Sequence, residues 1–194
     1  MVSCPLRIQV SCSHKVTQFD TIVLYDRPNT NDQIASATLT MSDNSTYSIG
    51  ALYNAGNATI FPLGTTVTSK SILLTVDEVL YTSANIGLSE FQVYLNSTSC
   101  STSSSSSVAS ATSTSTSAQS SASAVVDIAL VATASASSYS AGQPASAAID
   151  GVISGYPTNY SAEWASNGQG AGATLSLTWS KSYTVSSIVV GCDR

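Results

Sequence analysis

Residues 19–27 read FDTIVLYDR, and residues 185–194 read VSSIVVGCDR. Each places β-branched residues in a short apolar run and closes on Asp-Arg, so one strand and the loop after it are written twice. Sequence after the first copy reads as the back of a domain. Sequence leading up to the second copy reads as the front of one. The chain is therefore expected to carry two half-domains in reversed order, like a tandem repeat cut in mid-domain on both sides. The expected organisation is an irregular N-terminus (1–15), a second half-domain (16–95), a Ser/Thr/Ala-rich linker (96–125) and a first half-domain (126–194).

Downstream of the first copy, 36–41 (SATLTM) alternates cleanly, Ser42-Asp43-Asn44-Ser45 supplies a turn, and 46–49 (TYSI) resumes. Separate strands are expected at 57–61, 71–76 (SILLTV) and 88–95 (LSEFQVYL). In the last, Phe91, Val93 and Leu95 share one face, with Glu90, Gln92 and Tyr94 on the other. Beyond the linker, 127–134 (DIALVATA) and 173–179 (ATLSLTW) are expected strands. A long Gly- and Pro-bearing loop region separates them, with one helical turn at 145–149 (ASAAI). Short strands with turn signals between them point to an all-β sandwich.

Composition narrows the function. Only 9% of the 194 residues are charged, the net charge is −5, and Lys and Arg are scattered. Nucleic acid is not an expected partner, because the scattered Lys and Arg form no basic patch to meet a phosphate backbone. No apolar run reaches membrane-spanning length, so no membrane insertion is expected. Residues 97–124 are Ser, Thr or Ala apart from Cys100, Val108 and Gln119. Such a tract has too little apolar surface to offset its ordering entropy, and disorder is expected there. Few charges with abundant Ser and Thr suit a secreted glycoprotein. O-linked sugar is expected on the tract, and sequons stand at Asn44, Asn57, Asn96 and Asn159. Residues 1–14 (MVSCPLRIQVSCSH) lack the apolar core of a signal peptide, so a truncated chain is the expectation for an exported protein. Cys4, Cys12, Cys100 and Cys192 match no zinc spacing, and a Cys4–Cys12 bridge is one option for them.

Ala148-Ile149-Asp150-Gly151, Glu163-Trp164-Ala165, Tyr25-Asp26-Arg27-Pro28-Asn29 and Gly87-Leu88-Ser89-Glu90 together carry a resemblance. Residues from Asp127 onward resemble the first half of a discoidin-like, galactose-binding-like (F5/8 type C-like) domain of fungal secreted proteins. Residues from Thr21 to Tyr94 resemble its second half. The resemblance implies a jelly-roll β-sandwich, here assembled as a circular permutant. It also implies a structural calcium held by Asp150 and Glu90, and hard carboxylate oxygens suit that ion. The competing readings are an Asx turn capped by Asp150 and a solvent-facing Glu90.

Other residues are candidates by their own chemistry. Asp26, Arg27, Asn29, Asp32 and Gln33 crowd one loop after a strand, with the amides, carboxylates and guanidinium that recognise sugar hydroxyls. The alternative is an internal Arg27–Asp32 network that stiffens the loop. Tyr156 and Tyr160 lie in a Gly/Pro/Asn loop and suit stacking on a sugar ring, while Trp164 suits either stacking or a core plug. Catalysis is not expected, because the one histidine, His14, lies in the irregular N-terminus and leaves a Ser-His-Asp arrangement without its base. The expected function is a non-catalytic carbohydrate-binding module, extracellular or in the cell wall. Its partners would be a glycan or cell-wall polysaccharide, with self-association through half-domain swapping. The alternatives are a structural or adhesion spacer with the tract as stalk, and a gene-model fragment without independent function.

Overall fold

A computed structural model describes residues 18–81, 83–96 and 125–184. The disorder expected of the tract, the Cys4–Cys12 bridge and the second strand copy at 185–194 lie outside the described residues. Among the described residues, nine strands run in chain order: β1 (Gln18–Asp26), β2 (Ile34–Met41), β3 (Thr46–Ile49), β4 (Ala58–Val79), β5 (Gly87–Asn96), β6 (Val125–Asp127), β7 (Thr133–Ala136), β8 (Trp164–Ala165) and β9 (Thr174–Thr184). Single 3-10 turns cover Ala129–Val131 and Ala145–Ile149.

The strands form two antiparallel sheets, an all-β sandwich. In one, the first part of β4 pairs with β1, β1 with β5, and β5 with β6 and β8. In the other, β3 pairs with β2, β2 with the second part of β4, β4 with β9, and β9 with β7. Strands from both sides of residues 97–124 therefore share ladders. The β5–β6 ladder sets Asn96 opposite Val125, which brings the two ends of the tract side by side.

Period-two alternation explains which face each strand buries. Ile22 and Leu24 of β1, Phe91 and Val93 of β5, Ile72, Leu74 and Val76 of β4, and Leu175, Leu177 and Trp179 of β9 all point into one core. The core is built from both halves of the chain, so neither half can bury its apolar face alone. Trp179 settles its one polar atom by donating Nε1–H to the Ile128 carbonyl at 2.8 Å.

Two expected elements differ. The strands expected at 57–61 and 71–76 fall within one continuous strand, β4, of 22 residues from Ala58 to Val79. In its first half Gly64 takes a φ of +69°, and the register against β1 jumps between Phe19–Val67 and Thr21–Pro62. This bulge bends the strand, so β4 leaves one sheet and enters the other without ending, and it tolerates Pro62. Residues 127–134 are not one strand. The Asp127 carboxylate accepts the Ala129 N–H at 2.9 Å and the Val93 N–H at 2.9 Å, and the chain turns there through a 3-10 segment before β7.

β9 and β1 meet along β4. Thr184 stands opposite Thr68, and Phe19 stands opposite the adjacent Val67. Both strands run antiparallel to β4, and they touch each other.

Candidate functional site

The loop after β1 turns its polar groups inward. Asp26 is fully buried, and its carboxylate accepts N–H bonds from Arg27 at 2.8 Å and Ile34 at 3.2 Å. Asn29 accepts from the N–H groups of Asn31 at 2.9 Å and Asp32 at 2.8 Å, an Asx arrangement that closes the turn, and donates to the Asp32 carboxylate at 3.1 Å. Arg27 is 4% exposed. It donates to Asp32 Oδ2 at 2.9 Å, to the Asn85 carbonyl, and to Glu163 Oε1 at 2.7 Å. Gln143 also donates to Glu163 Oε1, at 2.5 Å. Gln33 is half-buried, and its carbonyl accepts from the Leu80 N–H at 3.0 Å.

This network joins the two halves of the chain, since Arg27 and Asn85 come from one and Gln143 and Glu163 from the other. A guanidinium fork with carboxylates on two sides is a geometry that lysine could not reproduce. Burial pushes the Asp26 carboxyl up to about 7, outweighing its two backbone amides and the nearby Arg27 charge. Asp32 keeps part of its side chain, 24%, in solvent.

A second acidic group lies along the β1–β5–β6 sheet. Glu90 faces away from the core, yet it is fully buried, because the turn at residues 150–152 lies over it. No donor reaches either of its carboxylate oxygens in good hydrogen-bond geometry, and the Gly151 and Val152 amides only approach it. Burial pushes its carboxyl up to about 8, reinforced by the Asp127 and Asp150 charges and opposed by the Gly151 and Val152 amides. Asp150 caps its own turn, accepting the Val152 N–H at 2.8 Å. Among the described residues no three His, Cys, Asp or Glu side chains stand close enough to form a metal-holding cluster.

The third feature is a braced loop. Tyr156 and Tyr160 are 49% and 50% exposed, and Thr158 and Asn159 between them are exposed too. Beneath them Gly155 is packed so closely that an added Cβ would overlap the Glu163 carboxylate and come within 2.7 Å of Pro28 Cδ. The tyrosine loop therefore rests directly on the Arg27 network. On its other side the Tyr160 ring lies 3.4 Å from where a Cβ on Gly142 would stand. Trp164 points the opposite way: it is fully buried and donates Nε1–H to the Ser138 carbonyl at 3.0 Å, which makes it a core plug.

Of the candidates read from sequence, the structure gathers Asp26, Arg27, Asn29 and Asp32 into one buried network and sets Tyr156 and Tyr160 above it. Glu90 and Asp150 come together elsewhere. Sequence reasoning missed Glu163, Gln143, Asn85 and Asp127. The only signal for Glu163 was its place beside Trp164 in a recognised motif. A polar residue next to an aromatic in a Gly-rich loop gives no hint of which distant arginine it will meet.

A family model described as "Domain of unknown function (DUF7402)" matches residues 7–94 and 127–194. No curated protein and no solved structure matches the chain.

Proposed function

The chain belongs to that family, DUF7402, and from its geometry we propose that it is a non-catalytic glycan-binding module of an extracellular or cell-wall protein. The observation that carries this reading is the pair of half-exposed tyrosines, Tyr156 and Tyr160, on a loop braced from beneath by Glu163 and Pro28. A tyrosine offers a flat apolar face to a sugar ring and a hydroxyl to the sugar's own hydroxyls, at little cost in side-chain entropy. Holding both rings on a stiff support before ligand arrives reduces the ordering cost of binding. Thr158 and Asn159 supply hydrogen-bonding groups between the rings, and the partly exposed Asp32 carboxylate belongs to the loop against which Gly155 packs. In this reading Asp26, Arg27, Asn29 and Gln33 hold the platform from inside, and Trp164 fills the core below it. The reading extends to the architecture, with the sandwich as a jelly roll whose halves follow one another in permuted order.

The same reading includes calcium as a structural ion at Glu90. Two buried carboxylate oxygens that no donor meets in good geometry favour a hard cation, and Asp150 adds charge beside them. The residues that would hold it are Glu90 and Asp150. A bound cation would take the place of the proton that burial otherwise keeps on the Glu90 carboxyl, which would bind it as the carboxylate.

Glycan-array screening of the whole chain, followed by titration of any hit, tests the function. Tyr156→Ala and Tyr160→Ala are each expected to weaken binding at least about tenfold, equivalent to about 1.4 kcal/mol, with the melting temperature unchanged. A folded chain that binds no glycan would sink the reading and leave a spacer role. Calorimetry with calcium and with chelator tests the ion: calcium is expected to raise the melting temperature, and an indifferent one removes it.

A further inference from the structure

The position between β4 and β5 is filled by β1, and the sequence holds a second segment that matches β1. Residues 187–190 (SIVV) align with 21–24 (TIVL), and both copies close on Asp-Arg. With Ile188 set on Ile22, Val190 falls on Leu24, so the two fully buried inward positions of β1 receive β-branched apolar residues. The same alignment sets Val185 on Phe19.

The register of the sheets gives that alignment independently. β9 arrives with Thr184 opposite Thr68, and Phe19 of β1 lies opposite Val67. A β9 continued by one residue would put residue 185 opposite Val67, on the site of Phe19. Sequence matching and backbone register thus arrive at one offset from different observations.

We propose that the groove between β4 and β5 is a strand-binding site for which residues 18–26 and residues 185–194 of the same chain compete, the second segment entering as a direct continuation of β9. Either occupant completes the same antiparallel ladders, since backbone N–H and C=O groups make them and side chains only set the fit. The fits are unequal. Val190 is smaller than Leu24, and Gly191-Cys192 replaces Tyr25, adding one residue where the β1–β5 register already shifts, between Tyr25 and Asp26. β1 is therefore the better occupant, and exchange releases it as an unpaired strand.

Cysteine trapping in the full chain tests this. Val23 stands opposite Gln92, so V23C/Q92C reports the β1 occupant and V189C/Q92C reports its competitor. Under mild oxidation the first pair is expected to link in nearly all monomers and the second in a minor but reproducible fraction, identified by peptide mapping. A 23–92 link with no 92–189 link overturns the proposal, and a 92–189 link confined to dimers overturns its same-chain form. As a second arm, I22D/L24D disables β1 and is expected to keep a cooperative unfolding transition. Adding I188D/V190D is expected to abolish that transition. Its absence already in I22D/L24D overturns the proposal. Neither arm depends on glycan binding.

Discussion

Arg27 and Glu163 show what a single residue pair does here. Their 2.7 Å ion pair is buried on both sides, at 5% and 0% side-chain exposure. A buried charge left alone is costly, while removing both charges of such a pair is often nearly neutral. Glu163→Ala is therefore expected to destabilise the fold by about 3–5 kcal/mol, read as a lower urea midpoint. Replacing both, as R27M/E163L, is expected to recover most of that loss. A single variant costing under about 1 kcal/mol would mean that water reaches Arg27. Asp26 gives the fold a pH dependence. Its carboxyl ionises at about 7 in the folded state against 3.8 ordinarily, so between those values the folded state holds a proton that the unfolded state has lost. Its contribution is fully present below the unfolded value and is lost as pH rises through about 7, at up to about 1.4 kcal/mol per pH unit. Glu90, held up to about 8, adds a slope of the same sign, so Asp26→Asn is expected to reduce the slope and leave the Glu90 share in denaturation curves recorded across this range, and an unaltered slope would assign it to Glu90.

At the scale of elements, the glycines under the loops set the spacing. A Cβ on Gly87 would land on the backbone of Trp164, so Gly87→Ala must push β5 and β8 apart. Its expected cost is about 1–3 kcal/mol. Gly50 has open space around it, and Gly50→Ala is expected to change stability by less than about 1 kcal/mol. Chemical denaturation of the two variants side by side checks the contrast. Elements were legible in sequence where one face of a strand is wet. SATLTM, SILLTV and LSEFQVYL write their two faces as alternation, and they become β2, part of β4, and β5. The unity of β4 was not legible, because Pro62 and Gly64 read as breakers, and only the partner strands show that they make a bulge. Glu90 marks a similar limit. It sits on the polar face of its strand, and the turn that buries it comes from the other half of the chain. The sequence reading took Asp26 and Arg27 as sugar-binding candidates and the structure buries both, because nothing local says whether such a loop faces solvent or the interior.

At the scale of the molecule, the core and both sheets cross between the halves, so the backbone between them is not what holds them together. Proteolytic cleavage between residues 97 and 124 is expected to leave two pieces that co-elute in gel filtration and melt in one transition. Pieces that separate without denaturant would contradict the shared ladders β4–β9, β5–β6 and β5–β8. The pairing of Asn96 with Val125 carries a further consequence, for how this gene can vary. Because the ladder itself brings the two ends together, closing the loop costs only about 0.6 kcal/mol more for each doubling of its length. Insertions and deletions within residues 97–124 would therefore change stability little. Lineages can then lengthen or shorten the tract, and with it the number of hydroxyls available for modification, while the sandwich stays the same.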